Sequence, residues 1–208
     1  MTDSKKLALF DLDGTLFNTN EVNYRAYKEA MENLGFKFER SYWYEHCIGR
    51  HYRDFLADIG ITDERILHDI HKFKKQSYKK YLNFAQENFH LFEIINLIRP
   101  SYYIALVTTA SRKNVLDILT AFNRLETFDK IFTQEDVTTK KPNPEGYLKA
   151  MAYFDMTPMD TIIFEDSETG LEAARASGAF YYKVFNMNDV HENFVARKLA
   201  QPFDKIES

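Results

Sequence analysis

Two alternating hydrophobic patterns run along the chain. Short apolar runs occur at 6–12 (KLALFDL), 102–108 (YYIALVT), 129–133 (DKIFT), 161–166 (TIIFED) and 181–185 (YYKVF), and each predicts a β-strand. Between them the apolar residues recur at helical spacing. One helix is predicted after Ser111, carrying Val115, Leu116, Ile118 and Leu119, and another from Pro144, a residue suited to the first helical position. A third follows Ser167, whose hydroxyl can cap it, and runs to Gly178. Strands alternating with helices predict an α/β fold, a parallel sheet with helices on both faces.

The interval between the first two strands breaks this rhythm. About 85 residues separate Leu16 from Tyr102, far more than a crossover needs, and the pattern there is helical throughout. Residues 20–34 and 63–82 read as amphipathic helices around a loop that contains CIGRHYRD at 47–54. The expected organisation is therefore an α/β core from residues 1–17 and 87–208, with an inserted helical domain at 18–86. There is no low-complexity tract and no internal repeat.

Composition narrows the class. A chain of 208 residues with 45% hydrophobic and 28% charged residues suits one globular domain carrying an insertion. The net charge of −4 gives no basic footprint for nucleic acid, so small-molecule chemistry is expected. Cys47 is the only cysteine, which fits a reducing compartment. No apolar run approaches the roughly 20 residues that span a bilayer, and no leader pattern opens the chain. A soluble cytoplasmic protein without membrane contact is expected; oligomeric state leaves no mark in the sequence.

Candidate chemistry sits at the predicted strand ends. Asp11 and Asp13, two apart on a strand, would project to one side with Leu12 turned away. Ligands of open parallel sheets bind outside the carboxyl ends of the strands, where this pair falls. Two close carboxylates resist joint ionisation unless a cation neutralises them or one holds a proton. Thr108 and Thr109, with Ala110 and Ser111 ahead of a helix, offer a hydroxyl and backbone N–H groups for phosphate. Glu165 and Asp166 are oxygen ligands suited to Mg²⁺. A lysine of TKKPNPEGY (139–147) can be held beside a charged group by Pro142 and Pro144. Together these groups form a phosphoryl-transfer set.

The stretch FDLDGTLFNT resembles the first motif of the haloacid dehalogenase superfamily, and Thr108, Lys141 and FEDSETG (164–170) are similar to its second, third and fourth motifs, in order. The resemblance implies a Rossmann-like core with a helical cap of the C1 type, on the branch of phosphoglycolate phosphatase and β-phosphoglucomutase. It implies that Asp11 attacks phosphorus and forms an aspartyl-phosphate, while Asp13 protonates the leaving oxygen and then activates water. Thr108 and Lys141 would hold the transferring group. Mg²⁺ would be held by Asp11, the Asp13 carbonyl and Asp166, with Glu165 close by or acting through water. Gly49 and Arg50, in the cap loop, would contact a small phosphorylated substrate. The halogen-removing branch lacks an equivalent of Asp13 and fits poorly. The mutase branch carries a His where this chain has Asn23, so phosphatase is the expected activity and sugar phosphomutase the alternative. A phosphonate hydrolase would need a cap lysine that forms an imine, and a binding module alone would not need every catalytic position filled.

Overall fold

The computed structural model describes residues 5–185, so the parts of the expected core at 1–4 and 186–208 lie outside the described residues. The chain divides into two compact units, Met1–Asn18 with Glu87–Ser208, and Thr19–Gln86.

The strands β1 (Lys6–Phe10) and β2 (Phe17–Asn18) precede the helical unit, which contains α1 (Asn20–Glu32), α2 (Arg40–Tyr42), α3 (Tyr52–Asp58) and α4 (Glu64–Ser77). The chain returns through β3 (Gln86–Glu87), which pairs with β2, and α5 (Phe89–Ile98). It then alternates through β4 (Tyr102–Val107), α6 (Arg112–Ala121), β5 (Lys130–Phe132), α7 (Glu145–Phe154), β6 (Thr161–Glu165), α8 (Glu168–Ser177) and β7 (Phe180–Lys183). The main sheet has the order β5-β4-β1-β6-β7, and every pairing is parallel.

All five expected strands are present. The first is shorter than its apolar run, because the chain turns at Leu12, whose carbonyl accepts from both Leu16 and Phe17 N–H. Asp11 makes the last ladder bond, to Phe164 O at 3.0 Å, so Asp13 is placed by a turn and not by strand alternation. Ser167 accepts from Gly170 N–H at the start of α8, and Gly178 ends that helix in the left-handed region, as the sequence predicts.

β1 is central, and Leu7, Ala8, Leu9 and Phe10 are wholly buried, so both sheet faces are covered. On one face Leu7, Leu9, Val107 and Ile163 pack with Tyr147 and Met151 of α7 and Ala173 and Ala174 of α8. On the other, Phe10 and Phe164 stack with ring centroids 4.6 Å apart. Each such buried side chain contributes about 1.5–3 kcal/mol. That burial fixes the strand ends on which the polar groups sit.

The helical unit has an aromatic core of its own, built on Tyr27, Phe38, Trp43 and Phe55. Trp43 belongs to this core. Asp63 caps α4 by accepting from Arg65 and Ile66 N–H, and the helix ends at Ser77, where the sequence suggests Leu82; a 3₁₀ turn over Tyr78–Phe84 continues it. The expected loop at 47–54 is helical from Tyr52 onward.

Asn88 ties the exit from β1 to the start of α5. Its backbone N–H donates to Leu16 O at 2.8 Å, its amide Nδ2 to Thr15 O at 3.1 Å, and its Oδ1 accepts from Leu91 N–H at 3.2 Å. Glu87 beside it takes both Nε and Nη2 of Arg124 at 3.0 Å. Asn88→Ala removes a helix cap and leaves the Thr15 carbonyl short of a donor in a fully buried place. Urea unfolding should show a loss of about 1–3 kcal/mol.

Candidate active site

β1, β4 and β6 are adjacent, so their carboxyl ends bring Asp11, Thr108, Glu165 and Asp166 to one edge of the sheet. Lys141 arrives from the loop between β5 and α7. That loop is braced by Glu145, whose carboxylate accepts from Thr138 N–H at 2.9 Å and Thr139 N–H at 2.7 Å. Lys141 Nζ then reaches Asp11 Oδ1 at 2.6 Å, Glu165 Oε2 at 2.7 Å and Val107 O at 3.2 Å. Its neighbour Lys140 turns instead to Gln134 Oε1 at 2.9 Å.

Glu165 is surrounded by donors. Its Oε2 takes Lys141 and the Tyr147 hydroxyl, each at 2.7 Å. Its Oε1 takes Asp166 N–H and Ser167 N–H at 3.1 Å and the Ser167 hydroxyl at 2.9 Å. Asp166 Oδ1 accepts from the Thr15 hydroxyl at 2.8 Å. Gly14, at φ +92°, lies under Asp166: a Cβ there would stand 2.0 Å from Asp166 Oδ2. Only a residue without a side chain lets the turn after Asp13 pass so close to that carboxylate.

The charges do not cancel. Burial, then the negative charge of Glu165, hold the Asp11 carboxyl well above the usual range, with Lys141 opposing. Burial followed by Glu165 pushes Asp166 up to about 7. Burial also works against the charged form of Glu165, yet Lys141 and the hydrogen bonds to its oxygens hold it below the ordinary value. Burial lowers Lys141, and the neighbouring acids more than reverse this. Three carboxylates against one ammonium leave an excess of negative charge that protons or a cation must meet.

Asp11, Glu165 and Asp166 each offer an oxygen within 4.8 Å of the others, the one such acidic group among the described residues. Glu165 has its oxygens taken, whereas Asp11 Oδ2 and Asp166 Oδ2 accept no hydrogen bond among the described residues. Hard oxygen donors of this kind fit a divalent cation such as Mg²⁺.

Thr108 is buried, and its hydroxyl accepts from Ala110 N–H at 3.0 Å; Thr109 beside it is exposed. Asp13 is half-buried in the turn. Arg50 and Gly49 belong to the helical unit. There Arg50 Nη2 pairs with Asp58 at 2.8 Å and Nη1 donates to His46 O at 2.8 Å, while Gly49 adopts φ +75° in open space. Asn23 donates its amide to Thr19 Oγ1 at 3.0 Å.

Sequence reasoning missed Tyr147, Thr15 and Gly170. Tyr147 reads as core, and nothing in its spacing marks a hydroxyl that reaches Glu165. The signal for Gly170 is its place in the first turn of a helix, where Ala would ordinarily be the better helix former. Here a Cβ would stand 2.0 Å from Glu165 Cδ. Gly170→Ala should therefore reverse the usual sign and lower the thermal unfolding midpoint.

The chain matches the family described as haloacid dehalogenase-like hydrolase over residues 8–184. It is 31% identical over 193 residues to Protein CbbY of Rhodobacter capsulatus, covering 83% of this chain and 82% of that one. It is 26% identical over 190 residues to the Phosphorylated carbohydrates phosphatase of Thermotoga maritima, covering 87% and 86%. The crystal structure of CbbY from Rhodobacter sphaeroides in complex with phosphate superposes with a TM-score of 0.74 at 26% identity, covering 92% of this chain and 90% of that one. No described helix is long and apolar enough to cross a membrane. A sheet of this order, an acidic edge braced by one lysine, and a match spanning nearly the whole described chain converge: the chain belongs to the haloacid dehalogenase-like hydrolase family, on the branch occupied by its phosphatase relatives.

Proposed function

We propose that the protein is a Mg²⁺-dependent phosphatase that hydrolyses a small phosphorylated metabolite through an aspartyl-phosphate. The observation that carries this reading is Asp11, buried at the end of the central strand, with Oδ1 held by Lys141 at 2.6 Å and Oδ2 left open. A carboxylate so oriented is a nucleophile with one oxygen anchored and the other presented.

In the first step a carboxylate oxygen of Asp11 attacks phosphorus, the bond to the leaving oxygen breaks, and Asp13 gives that oxygen its proton. In the second step Asp13 takes a proton from water, the resulting hydroxide attacks phosphorus, and Asp11 leaves as a carboxylate with release of phosphate. The Thr108 hydroxyl and Lys141 bind the phosphoryl oxygens and offset the charge that grows on them. Asp11, Asp166 and the Asp13 carbonyl would hold the cation, which supplies the neutralisation that lets an anionic substrate approach an acidic edge.

Substrate selection belongs, on this reading, to the helical unit Thr19–Gln86, with Gly49 and Arg50 as its contacts. That assignment rests on the resemblance, and the pairing of Arg50 with Asp58 competes with it. Phosphoglycolate, a sugar phosphate or a nucleotide is the expected substrate class, and the Phosphorylated carbohydrates phosphatase of Thermotoga maritima supports a sugar phosphate among them. Against the mutase alternative, the Asn23 amide is not an acid or base near neutral pH, and it donates to Thr19 Oγ1.

Incubation with an aryl phosphate and Mg²⁺ should release phosphate, and EDTA should stop it. Asp11→Asn should lower kcat by at least about a thousandfold with the fold intact by circular dichroism; unimpaired turnover in that variant sinks the mechanism. A second expectation concerns pH. Because Asp166 titrates near 7 without metal, cation binding must displace its proton. The Mg²⁺ affinity measured by calorimetry should therefore rise from pH 6 to pH 8, by up to about tenfold per unit for each proton displaced.

A further inference from the structure

Tyr147 is a buried titratable group that the proposed mechanism does not use. Its side chain is 1% exposed and belongs to the core beneath the sheet, yet its hydroxyl leaves that apolar setting to donate to Glu165 Oε2 at 2.7 Å. The ring also lies under Lys141, whose Nζ is 4.9 Å from the ring centroid. A tyrosine kept only for packing needs neither contact, since phenylalanine fills almost the same volume.

We propose that Tyr147 is a positioning residue, which locks Glu165 so that Glu165 in turn fixes the Lys141 ammonium against the nucleophile Asp11.

An ammonium has three N–H donors on a freely turning head. In Lys141 they have three acceptors, namely Asp11 Oδ1, Glu165 Oε2 and Val107 O, and the head has one orientation. Two of these acceptors stand on the ends of adjacent strands, β1 and β4, and cannot move far. Of the two carboxylate acceptors, Glu165 has the longer side chain, with one torsion more than Asp11, and depends more on what else holds it. Its Oε1 is held by Ser167 and by two backbone N–H groups at the start of α8, and Tyr147 is the donor that shares Oε2 with the lysine. Gly170 leaves room for the carboxylate to lie against the helix start. Removing the Tyr147 hydroxyl leaves Lys141 as the sole donor to Oε2 among the described residues, on a carboxylate that is 1% exposed. The ammonium then swings with Glu165 and divides its time among poorer contacts with Asp11.

The test uses Tyr147→Phe, which keeps the ring and the core. Two measurements are made on the full chain. In ¹⁵N-labelled protein, the Lys141 ammonium, assigned by its loss in Lys141→Arg, should give a slowly exchanging proton resonance. In Tyr147→Phe its exchange with water should quicken at least about threefold, as expected for a group that loses part of its protection. With an aryl phosphate and saturating Mg²⁺, kcat should fall about tenfold, the low end of what outer partners of a reacting group carry, with KM within about twofold. A purely structural role would lower the melting temperature and leave both readouts unchanged per folded molecule. An unchanged exchange rate, an unchanged kcat, or the absence of any protected Lys141 resonance in the natural protein overturns the proposal. The kinetic arm rests on the phosphatase reading; if the natural protein releases no phosphate, that reading fails by itself and the ammonium exchange alone decides the role of Tyr147.

Discussion

The site depends on one uneven charge balance. Asp11, Glu165 and Asp166 converge at the carboxyl edge of the sheet, and Lys141 is the one ammonium set among them. Taking these groups out of water is costly, and the cost is tolerable only where each charge is paired or hydrogen-bonded. Glu165 meets that condition fully, with donors on both oxygens, and so it behaves as part of the scaffold. Asp11 and Asp166 meet it by halves, each with one oxygen satisfied and one open. The unsatisfied half of the edge is where chemistry becomes possible.

That edge exists because β1 is the middle of the sheet. With β4 on one side and β6 on the other, three strand ends open side by side, and no other position in a sheet of this order has neighbours on both sides so deeply covered. The apolar packing of the strands thus sets a distance of 2.6 Å between Asp11 and Lys141 and of 2.8 Å between Thr15 and Asp166, groups more than a hundred residues apart in sequence. The helical unit carries an aromatic core of its own.

Most of this architecture is legible from the sequence. The five strands announce themselves as apolar runs, and the insertion as a long helical interval. Asp11, Thr108, Lys141 and Asp166 stand out because each closes a run or sits beside a proline. Two kinds of feature stay hidden. The turn at Leu12 is one, since strand periodicity predicts the direction of Asp13 only while the strand lasts. The partners of Glu165 are the other: a tyrosine, a serine and two backbone N–H groups have no signature, because any of them serves equally well elsewhere as core or cap. Lys141 is separated from Lys140 in the sequence by its place directly before Pro142, and the loop aims it at Asp11 while Lys140 turns to Gln134.

The central place of β1 also has a consequence for the order in which the protein is made. The first strand to leave the ribosome has no partner until Tyr102 and Thr161 have been synthesised, because it pairs only with β4 and β6. Between them comes an insertion able to collapse around its own aromatic cluster, and the short pairing of β2 with β3 gathers its two ends. A long flexible loop is thereby replaced by a closed one before the sheet must assemble across it, which lowers the entropy of closure that the core would otherwise meet.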